Sequence, residues 1–428
     1  MLGLARNVAE RVAFLVVSAI VVVYGAYQGL QIEAVSFDVW GLFVRVAMID
    51  AIPAALVFAA IVVLSGAMLA REVHGEGPEG RVREGPRVAA LVPAFRDGDV
   101  LEESVGTLVT SNYEDLEVAI LTEPGDRETK ARARELAEHP DVQVLENRYP
   151  GSKAGAIDDA VERLDADVFC AFDADERVDP AYVPTAVHAL TEDGRDVFQA
   201  RRVPRVSGPV EALAYGERLL FHAGHKLVEP LGFTYCRSSS VAFTPEAYEA
   251  VDGLDDMLTE DLDFAHECFR ANLDVQQTRS LTNEMEAPHT LSDLWGQRKR
   301  WRMGHIEVLV KALRGGFTHG GWRGALSTCR LATTLAAGLF LLALAAKILL
   351  LLVLDLEILF LVPLAAIALA TLPVVLADRQ AGHIPQASPA IALIPLIYPG
   401  FGLLNIRSLL AYGLSWDGEW YQVDKTGS

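Results

Sequence analysis

Long apolar stretches flank one charged central block, and this arrangement most constrains how the chain can fold. Residues 12–30 carry no charge over 19 positions, which is about the length a helix needs to cross the hydrocarbon core of a bilayer. A second such stretch covers 51–70, and three more lie near 331–354, 358–377 and 389–413. The pattern predicts a multi-pass membrane protein and excludes a purely soluble one.

The last of these stretches permits two topologies. Residues 389–413 are interrupted by Pro395 and Pro399 and by two glycines, and a broken helix is tolerated at membrane depth where protein or a polar cavity satisfies the backbone. The stretch is either a tilted fifth span, which places the C-terminus outside, or a re-entrant hairpin, which keeps Arg407 and Lys425 inside. The sequence leaves both alternatives open.

Arginines mark the cytoplasmic side of the first two spans. Arg6 and Arg11 precede the first span, Arg71 follows the second, and only Arg45 lies between them. Positively charged residues are enriched on the cytoplasmic side of membrane helices. The central block, residues 71–330, is therefore expected to face the cytoplasm from the cell membrane.

The central block is strongly acidic. It holds 47 of the 57 acidic residues and 30 of the 37 basic ones, so it carries -17 of the net charge of -20. Negative charge of this size disfavours nucleic acid as a partner, and a hydrophobic content of 51% excludes a disordered chain. The four cysteines form no C-x-x-C pair, so neither a zinc ribbon nor a disulfide framework is predicted.

Short β-rich runs alternate with helical patterns in the first half of this block. Strands are predicted at 87–95, 116–123, 142–146 and 168–175, with helices between them at 101–111, 128–139 and 153–164. Such alternation indicates an α/β fold with parallel crossovers and a sheet covered on both faces. Ligands bind beyond the carboxyl ends of such strands, where this sequence has the polar segments PAFRD, TEPGD and DADE.

Asp173 and Asp175 directly follow the apolar run VFCAF. On an extended backbone, a spacing of two places both side chains on the same side. Two carboxylates so placed suit a hard divalent cation, Mg²⁺ or Mn²⁺, that also bridges phosphate oxygens. The pattern predicts a metal site, and carboxylates that simply end a strand are the alternative.

Two other segments carry charged groups suited to the same chemistry. Lys153 follows a Pro-Gly turn and opens a helix, where a cation and free N–H groups can meet an anionic ligand. Glu260 and Asp261 precede a helix and are suited to act as a general base. The residues therefore indicate a site that binds an anionic ligand and moves a proton.

The segment QRKRW places Gln297, Arg300 and Trp301 on one helical face. An arginine makes fork-like contacts with phosphate oxygens, and an indole gives a flat surface for a sugar ring. The basic residues around it, with Lys311 and Arg314, are also suited to hold an interfacial helix on anionic membrane lipids. Both roles remain compatible.

Six segments together resemble the ordered motifs of the family 2 glycosyltransferases, and among them the membrane-embedded processive type that includes cellulose, chitin and hyaluronan synthases. The segments are PAFRD (93–97), TEPGD (122–126), SKAGAIDDA (152–160), DAD (173–175), TED (259–261) and QRKRW (297–301). The resemblance covers about residues 87–305. It implies a GT-A (Rossmann-like) domain inserted between transmembrane helices, a nucleoside-diphosphate sugar donor, expected to be a UDP-sugar, and Mg²⁺ or Mn²⁺.

The resemblance also implies a role for each matched residue. Donor contacts are implied for Pro93, Ala94, Asp97, Glu123, Lys153, Asp173 and Arg300. Asp175 matches the metal ligand, and Asp261 matches the catalytic base, with Glu260 beside it. The acceptor side is matched by Gln297, Trp301 and Cys236.

The chain departs from the family pattern at two positions. Glu123, followed by Pro-Gly, stands where the family usually has a uridine-binding Asp, and this affects the expected base preference. Arg237 stands where a Gly usually follows the motif cysteine, and this affects the expected path of the acceptor.

The expected organisation has four parts. Residues 1–70 form two transmembrane helices, 71–290 the GT-A domain, 291–330 amphipathic interfacial helices, and 331–428 the C-terminal membrane segments with a short tail. The expected partners are a nucleoside-diphosphate sugar, a glycan or lipid-linked acceptor, and membrane lipids.

Two other groups of residues have simpler interpretations. His222 and His225 lie one helical turn apart, but without a third ligand they do not predict a metal site. Arg201, Arg202 and Arg205 are expected to pair with neighbouring acids rather than to bind a polymer.

The function predicted from these features is inverting, metal-dependent transfer of a sugar onto a growing glycan, with the product exported through the membrane segments. Two alternatives remain at this point. One is transfer of a single sugar to a polyprenyl-phosphate or lipid-linked acceptor. The other is a non-catalytic membrane scaffold or transporter.

Overall fold

The structure of the protein is a computed structural model. It describes residues 2–29, 32–39, 42–49, 51–75, 80–316, 320–354, 361–384 and 389–415. Lys425 lies outside these residues.

The N-terminal part consists of two long helices joined by a β-hairpin. Helix α1 (Leu2–Gly29) and helix α2 (Ala51–Val73) contain the two predicted spans. Between them, β1 (Ile32–Val39) and β2 (Leu42–Ile49) pair antiparallel, an element that the sequence pattern did not predict.

The central domain is one seven-stranded sheet with helices on both faces. Its strands are β3 (Val88–Ala94), β4 (Leu116–Thr122), β5 (Val142–Glu146), β6 (Val168–Ala171), β7 (Val197–Pro204), β8 (Val241–Phe243) and β9 (Val275–Met285). Its helices are α3 (Leu101–Leu108), α4 (Arg127–Leu136), α5 (Lys153–Arg163), α6 (Tyr182–Thr191), α7 (Pro209–Lys226), α8 (Pro245–Glu249), α9 (Glu260–Arg270) and α10 (Leu291–Arg314). The predicted α/β fold class is confirmed.

The sheet has the strand order β5-β4-β3-β6-β8-β7-β9. Strands β5, β4, β3 and β6 are parallel, as predicted, whereas β8 runs antiparallel to both β6 and β7. Ala94 lies opposite Thr122, and Leu91 lies opposite Ala171. Because neighbouring parallel strands end together, the segments that follow β3, β4 and β6 gather at one edge of the sheet.

Alternating side chains of the strands build two separate cores. On one face, Val88 and Val92 pack with Leu101, and on the other, Leu91 packs with Ile157 and Phe264. This is the result expected for strands whose successive side chains point to opposite faces.

Strand β6 ends earlier than its pattern predicted. Pairing stops at Ala171, and the chain enters a turn at Ala174 and Asp175. The expectation that Asp173 and Asp175 lie on the same side of an extended backbone is therefore wrong, because neither residue belongs to the strand. The amide of Phe172 still donates to the carbonyl of Leu91 on β3 at 3.0 Å, but the residues after it turn, with the amide of Glu176 bonded to the carbonyl of Asp173 at 3.2 Å.

The C-terminal part is helical. Helices α11 (Gly321–Leu354) and α12 (Val362–Ala381) are followed by a 3₁₀ segment, Pro389–Leu396, and by helix α13 (Ile397–Leu410), which ends in a π-helical turn, Ala411–Ser415. In the described residues, five helices are long and apolar enough to cross a membrane, and they lie in α1, α2, α11, α12 and the segment Ala392–Leu414. They indicate a membrane protein.

The last segment contacts several levels of the helical bundle. Ile394 packs with Val62 near the middle of α2. Further along, Asn405 donates a hydrogen bond to the carbonyl of Leu335 at 2.8 Å, and Arg407 forms an ion pair with Glu10 near the start of α1. The chain therefore runs from mid-helix depth back toward the N-terminal end of α1.

A buried ion pair joins the central domain to α12. Arg201 on β7 donates to both carboxylate oxygens of Asp378, at 2.6 and 2.7 Å, and the hydroxyl of Tyr215 donates to Asp378 at 2.6 Å. Asp378 is only 1% exposed. Such a pair is stable only as a whole, because removing one partner leaves the other charge buried.

Replacing Asp378 by Asn should lower the free energy of unfolding by about 3–5 kcal/mol, since Arg201 then loses its buried counter-charge. Thermal unfolding in detergent measures the change. The matched control is Asp274→Asn, because the pair of Asp274 with Arg195 is exposed and such pairs contribute about 0–1 kcal/mol. Equal shifts for the two variants would contradict the role assigned to the buried pair.

Candidate active site

Asp173 is the centre of an ion-pair network just beyond β6. One oxygen accepts from Lys153 Nζ at 2.7 Å, and the other accepts from Arg202 Nη2 at 2.7 Å. Arg202 also pairs with Glu176 at 2.7 Å and donates to Ser239 at 2.6 Å. Asp173 is thus held in one orientation from two sides, by α5 and by β7.

Lys153 occupies the first turn of α5, as predicted. Ser152 caps this helix by accepting from the amide of Gly155 at 2.9 Å. Lys153 Nζ lies 2.7 Å from Asp173 and 3.5 Å from Glu260. Burial alone would lower the pKa of Lys153, but the charges of Asp173 and Glu260 outweigh it and raise that pKa, so the ammonium stays charged.

Asp175 lies in the turn after Asp173 and is buried. Its carboxylate accepts the backbone N–H of Glu286 at 3.2 Å, and its carbonyl accepts from Arg205. A carboxylate is a suitable ligand for a hard divalent cation. The described residues contain no group of three or more His, Cys, Asp or Glu side chains that could hold a metal, so a cation at Asp175 requires further oxygen ligands from substrate or water.

The residues after β3 and β4 are held by hydrogen bonds within their loops. Asp97 accepts the N–H of Phe95 at 3.1 Å and donates its own N–H to Thr129 at 3.1 Å. Glu123 accepts from Asn147 at 2.6 Å and from the N–H of Gly151 at 2.9 Å. The Glu123 carboxylate therefore braces the loop that leads into Lys153.

Pro93 and Ala94 form the end of β3. They lie opposite Leu121 and Thr122 on β4. The predicted donor contacts from these two strands thus lie at the same edge of the sheet as Asp173.

The neighbouring carboxylates Glu260 and Asp261 open α9 and face different cavities. Glu260 accepts from Ser238 at 2.9 Å and lies beside Lys153, and burial raises the pKa of Glu260. Glu260 lines a cavity of about 330 Å³ together with Lys153, whereas Asp261 lines a second cavity of about 280 Å³. The first turn of α9 therefore presents one carboxylate to the cavity that contains Lys153 and the next carboxylate to the second cavity.

The second cavity lies between α7, α10 and α11. Trp301 lines it, with the guanidinium of Arg298 4.1 Å and that of Arg218 5.4 Å from its ring centroid. Arg237 also lines it, 3.8 Å from Asp261. Trp301 and Asp261, which the sequence motifs assigned to acceptor and base, thus share one cavity.

Arg300 lies on the side of α10 nearer to Glu260. It donates to the carbonyl of Leu258 at 3.3 Å. Burial lowers the pKa of Arg300, whereas the charges of Glu260, Asp261 and Asp173 act in the opposite direction. Gln297 instead accepts a hydrogen bond from Arg298.

Cys236 lies away from both cavities. It is 0% exposed and belongs to the apolar core with Phe233 and Cys268. Its neighbours Tyr235 and Arg237 line the second cavity instead. Cys236 therefore packs in the core, and the side chains on either side of it line the cavity.

Three arginines of β7 and its loop pair with acids, which confirms that prediction. Arg201 pairs with Asp378, Arg202 with Asp173 and Glu176, and Arg205 with Glu103 at 2.7 Å. Arg202 was not expected to reach the active site. It lies within β7, two residues before the terminal Pro204, and no sequence motif marks this position, so only the pairing of the strands reveals it.

The two histidines of α7 are buried and separately engaged. Burial and nearby arginines lower the pKa values of His222 and His225. His225 stacks on Tyr235, with ring centroids 4.1 Å apart, and interacts with Arg330.

Most charges of the basic run on α10 are turned inward. Arg298 pairs with Glu217, and Lys311 pairs with Asp255 and Asp263 at 2.6 Å each. Arg302 is buried, and Arg314 is exposed. Arg298 and Arg302 are therefore buried within the protein, whereas Lys311 is only partly buried and Arg314 is exposed.

Comparison with known proteins supports the motif assignment. Residues 86–304 match the family model described as glycosyltransferase like family 2. Poly-beta-1,6-N-acetyl-D-glucosamine synthase of Staphylococcus aureus (strain MSSA476) is 24% identical over 249 residues, 55% of this chain and 58% of that protein. The synthase of the same name from Staphylococcus epidermidis is 20% identical over 236 residues, 52% of this chain and 56% of that protein. The chain thus covers less than two thirds of the length of these relatives.

Among solved structures, the mannosyltransferase PcManGT from Pyrobaculum calidifontis, in complex with GDP-Man and Mn²⁺, superimposes with a TM-score of 0.51. The match covers 86% of this chain and 99% of that one at 19% identity, so it supports the GT-A-like fold. With half of the chain matching the family model, this protein belongs to the family 2 glycosyltransferases and is a glycosyltransferase.

Proposed function

We propose that the protein is an inverting, metal-dependent glycosyltransferase that moves a sugar from a nucleoside-diphosphate donor onto a hydroxyl group of a growing glycan. The observation that carries this proposal is the divergence of Glu260 and Asp261 into two cavities. A cation, Lys153, lies with Glu260, and an aromatic surface, Trp301, lies with Asp261. Donor and acceptor would meet at this one turn of α9.

The donor would bind at the carboxyl edge of the sheet. Asp97 and Glu123 lie on the loops that would contact the nucleoside, and Lys153 and Arg300 would balance the charge of the diphosphate. A UDP-sugar is the donor we expect. The complex of PcManGT with GDP-Man and Mn²⁺ supports a nucleotide sugar as the donor class and makes GDP-sugars the natural alternative to test.

A divalent cation, Mg²⁺ or Mn²⁺, would be held by Asp175 and by oxygens of the donor diphosphate. The fit rests on the donor set, since Asp175 presents a hard carboxylate oxygen that the N–H of Glu286 holds in place. When bound, such a cation supplies stabilisation of the negative charge on the leaving diphosphate. Asp173 would not compete for it, because both of its oxygens are engaged by Lys153 and Arg202.

Asp261 would act as the general base. Its carboxylate would accept the proton from the acceptor hydroxyl as that oxygen attacks the anomeric carbon from the face opposite the diphosphate. The expected stereochemical outcome is inversion. Arg237, 3.8 Å away, would orient the carboxylate before the acceptor arrives.

A growing glycan is the acceptor that the comparisons favour. The matched staphylococcal proteins are polysaccharide synthases, and Trp301 offers an aromatic surface for a sugar ring beside the base. The alternative is transfer to a lipid-linked acceptor, which an analysis of the product distinguishes from polymer synthesis. We also propose that the glycan is exported through the membrane helices.

We infer that the central domain faces the cytoplasm and that residues 389–415 form a re-entrant segment. Ile384, at the end of α12, packs with Leu69 of α2, which lies close to the predicted cytoplasmic Arg71. Ile394 reaches Val62, and the ion pair of Arg407 with Glu10 returns the chain to the cytoplasmic end of α1. Both ends of the segment would then lie on one side of the membrane.

One assay tests the proposed function directly. The purified chain in lipid nanodiscs is incubated with radiolabelled UDP- and GDP-sugars and Mg²⁺ or Mn²⁺, and the label is sorted by solubility. Ethanol-insoluble product supports glycan synthesis, and label in the organic phase supports transfer to a lipid. Absence of nucleotide release across the whole panel would refute a transferase of this donor class.

Replacing Asp261 by Asn should reduce transfer by about 10²–10⁴-fold, because the acceptor hydroxyl loses its proton acceptor. Nucleotide binding, measured by calorimetry, should be unchanged. The control Asp165→Asn makes the same chemical change at a fully exposed site and should keep full activity. Retained turnover in the Asp261 variant would remove this residue from the role of base.

Replacing Asp175 by Asn should remove the dependence of nucleotide binding on Mn²⁺, since the protein ligand to the cation is lost. The measurement is the dissociation constant of UDP with Mn²⁺ and with EDTA, for the wild type and the variant. We expect Mn²⁺ to tighten binding in the wild type and in Asp165→Asn but not in Asp175→Asn. A Mn²⁺ effect of equal size in all three proteins would show that the metal binds elsewhere.

A further inference from the structure

The cavity that contains Asp261 is strongly basic for its size. Four guanidinium groups line its volume of about 280 Å³, those of Arg237, Arg298, Arg302 and Arg330, against the two carboxylates of Glu217 and Asp261. This contrasts with the acidic surface of the domain. A neutral sugar polymer gives no reason for such an excess of buried positive charge.

The two carboxylates are already taken by two of the arginines. Glu217 forms an ion pair with Arg298, and Asp261 lies 3.8 Å from Arg237. In the part of the chain that the structure describes, neither Arg302 nor Arg330 has a carboxylate within 4.0 Å. Each instead lies against aromatic rings, Arg302 5.0 Å from the Phe401 centroid and Arg330 3.9 Å from the Phe233 centroid.

Arg218 adds a further buried charge behind Trp301. It is 6% exposed, and its Nη1 has no hydrogen-bond partner among the described residues. Burial lowers the pKa of Arg218, and the charges of Arg237, Arg202 and Arg298 act in the same direction. A buried charge without a partner is costly, so this region is best stabilised when an anion enters it.

The histidines of the cavity cannot balance the positive charge of the arginines, because a histidine side chain is either neutral or positive. Burial lowers the pKa of His305 to about 4, and the charges of Arg302 and Arg330 act in the same direction. His305 is therefore neutral at pH 7. His305 lies one helical turn after Arg302 on α10, and its Nε2 is 2.8 Å from the carbonyl of Leu331, the residue that follows Arg330, so this imidazole connects the two arginine positions.

The position of Asp261 decides which kind of anion fits. A phosphate that attacks the donor is already an anion, so it needs no base and would be repelled by the carboxylate. A hydroxyl nucleophile needs the base. The ligand should therefore present a hydroxyl to Asp261 and carry its negative charge elsewhere, toward Arg302 and Arg330.

We propose that this cavity binds an acidic sugar of the acceptor, with its carboxylate held by Arg302 and Arg330 and its hydroxyl directed to Asp261. Guanidinium groups bind carboxylates in a fork geometry, and Trp301 and Tyr235 offer flat surfaces beside them. The acceptor glycan is thus a uronate-containing one. This inference rests on the proposed function, because it names the acceptor class of the same site.

The test compares three probes on the full chain in nanodiscs with UDP present. They are a disaccharide ending in β-linked glucuronic acid, its glucose counterpart, and a short-chain polyprenyl phosphate, each titrated by calorimetry. Hydrogen bonds to a charged group contribute about 1.5–3 kcal/mol, so we expect the uronate to bind about 10- to 100-fold more tightly than the glucose counterpart. This comparison requires no variant and so does not depend on any variant folding.

Two variants then locate the effect. Arg302→Gln and Arg330→Gln should each lose most of the preference for the uronate, measured as the ratio of the dissociation constants of the glucose counterpart and the uronate. The control Arg134→Gln removes an arginine from the exposed face of α4 and should keep the full preference. Arg302→Lys keeps the positive charge but loses the planar guanidinium group, so it should retain part of the preference for the uronate.

Equal binding of the two disaccharides would overturn the inference, and so would tight, arginine-dependent binding of the polyprenyl phosphate. A uronate preference that survives in both glutamine variants would also overturn it. These results differ from failure of the proposed function, since a protein that binds UDP without a uronate preference refutes only the acceptor class. Absence of UDP binding would refute the transferase itself.

Discussion

Strand β7 is the element on which both the membrane attachment and the catalytic centre depend. Its adjacent residues Arg201 and Arg202 point to opposite faces of the sheet, as successive residues of a strand must. Arg201 holds Asp378 of α12, and Arg202 holds Asp173 and Glu176. A movement of α12 relative to the sheet would therefore be transmitted through one residue of backbone to the carboxylate that positions Lys153. The ion pairs of two adjacent residues on β7 therefore fix both the contact of the domain with α12 and the position of Asp173.

The start of α9 has a comparable effect on the chemistry. In the first turn of a helix, two consecutive side chains diverge by about a quarter turn around the helix axis, so Glu260 and Asp261 reach different cavities. Glu260 is tied to Lys153 and Ser238, which leaves Asp261 as the carboxylate on the aromatic side. A pair of identical charges thus acquires two roles because the helix begins at this position.

The sequence predicted the parallel half of the fold because each of its elements has a local signal. Strands β3, β4 and β5 and helices α4 and α5 lie within a few residues of their expected bounds, and Lys153 opens α5 as expected. Features that depend on distant partners were not predictable. The end of β6 depends on where its neighbours stop, and the core position of Cys236 depends on packing against Phe233 and Cys268. The hairpin β1–β2 is different, because the alternating residues of VSFDV and LFVRV are a strand signal that the membrane-span pattern on either side obscured. Arg202 reaches the catalytic centre through a pairing of strands that no motif records.

The surface of the central domain is acidic, whereas the cavity beside Asp261 is lined by arginines. These opposite charges act on an acidic ligand in different places. The central block carries most of the net charge of -20, and such an exterior repels anions over a distance of about 8–10 Å at moderate salt. Arg302 is buried and Arg330 is half-buried, and both line the cavity, while the buried Arg218 lies behind Trp301. An acidic ligand is then not attracted to the surface at large, and it gains electrostatic energy only after it has entered the space beside Asp261. Under the proposed acceptor class, selection by charge would be made where the acceptor hydroxyl meets Asp261, its proposed base.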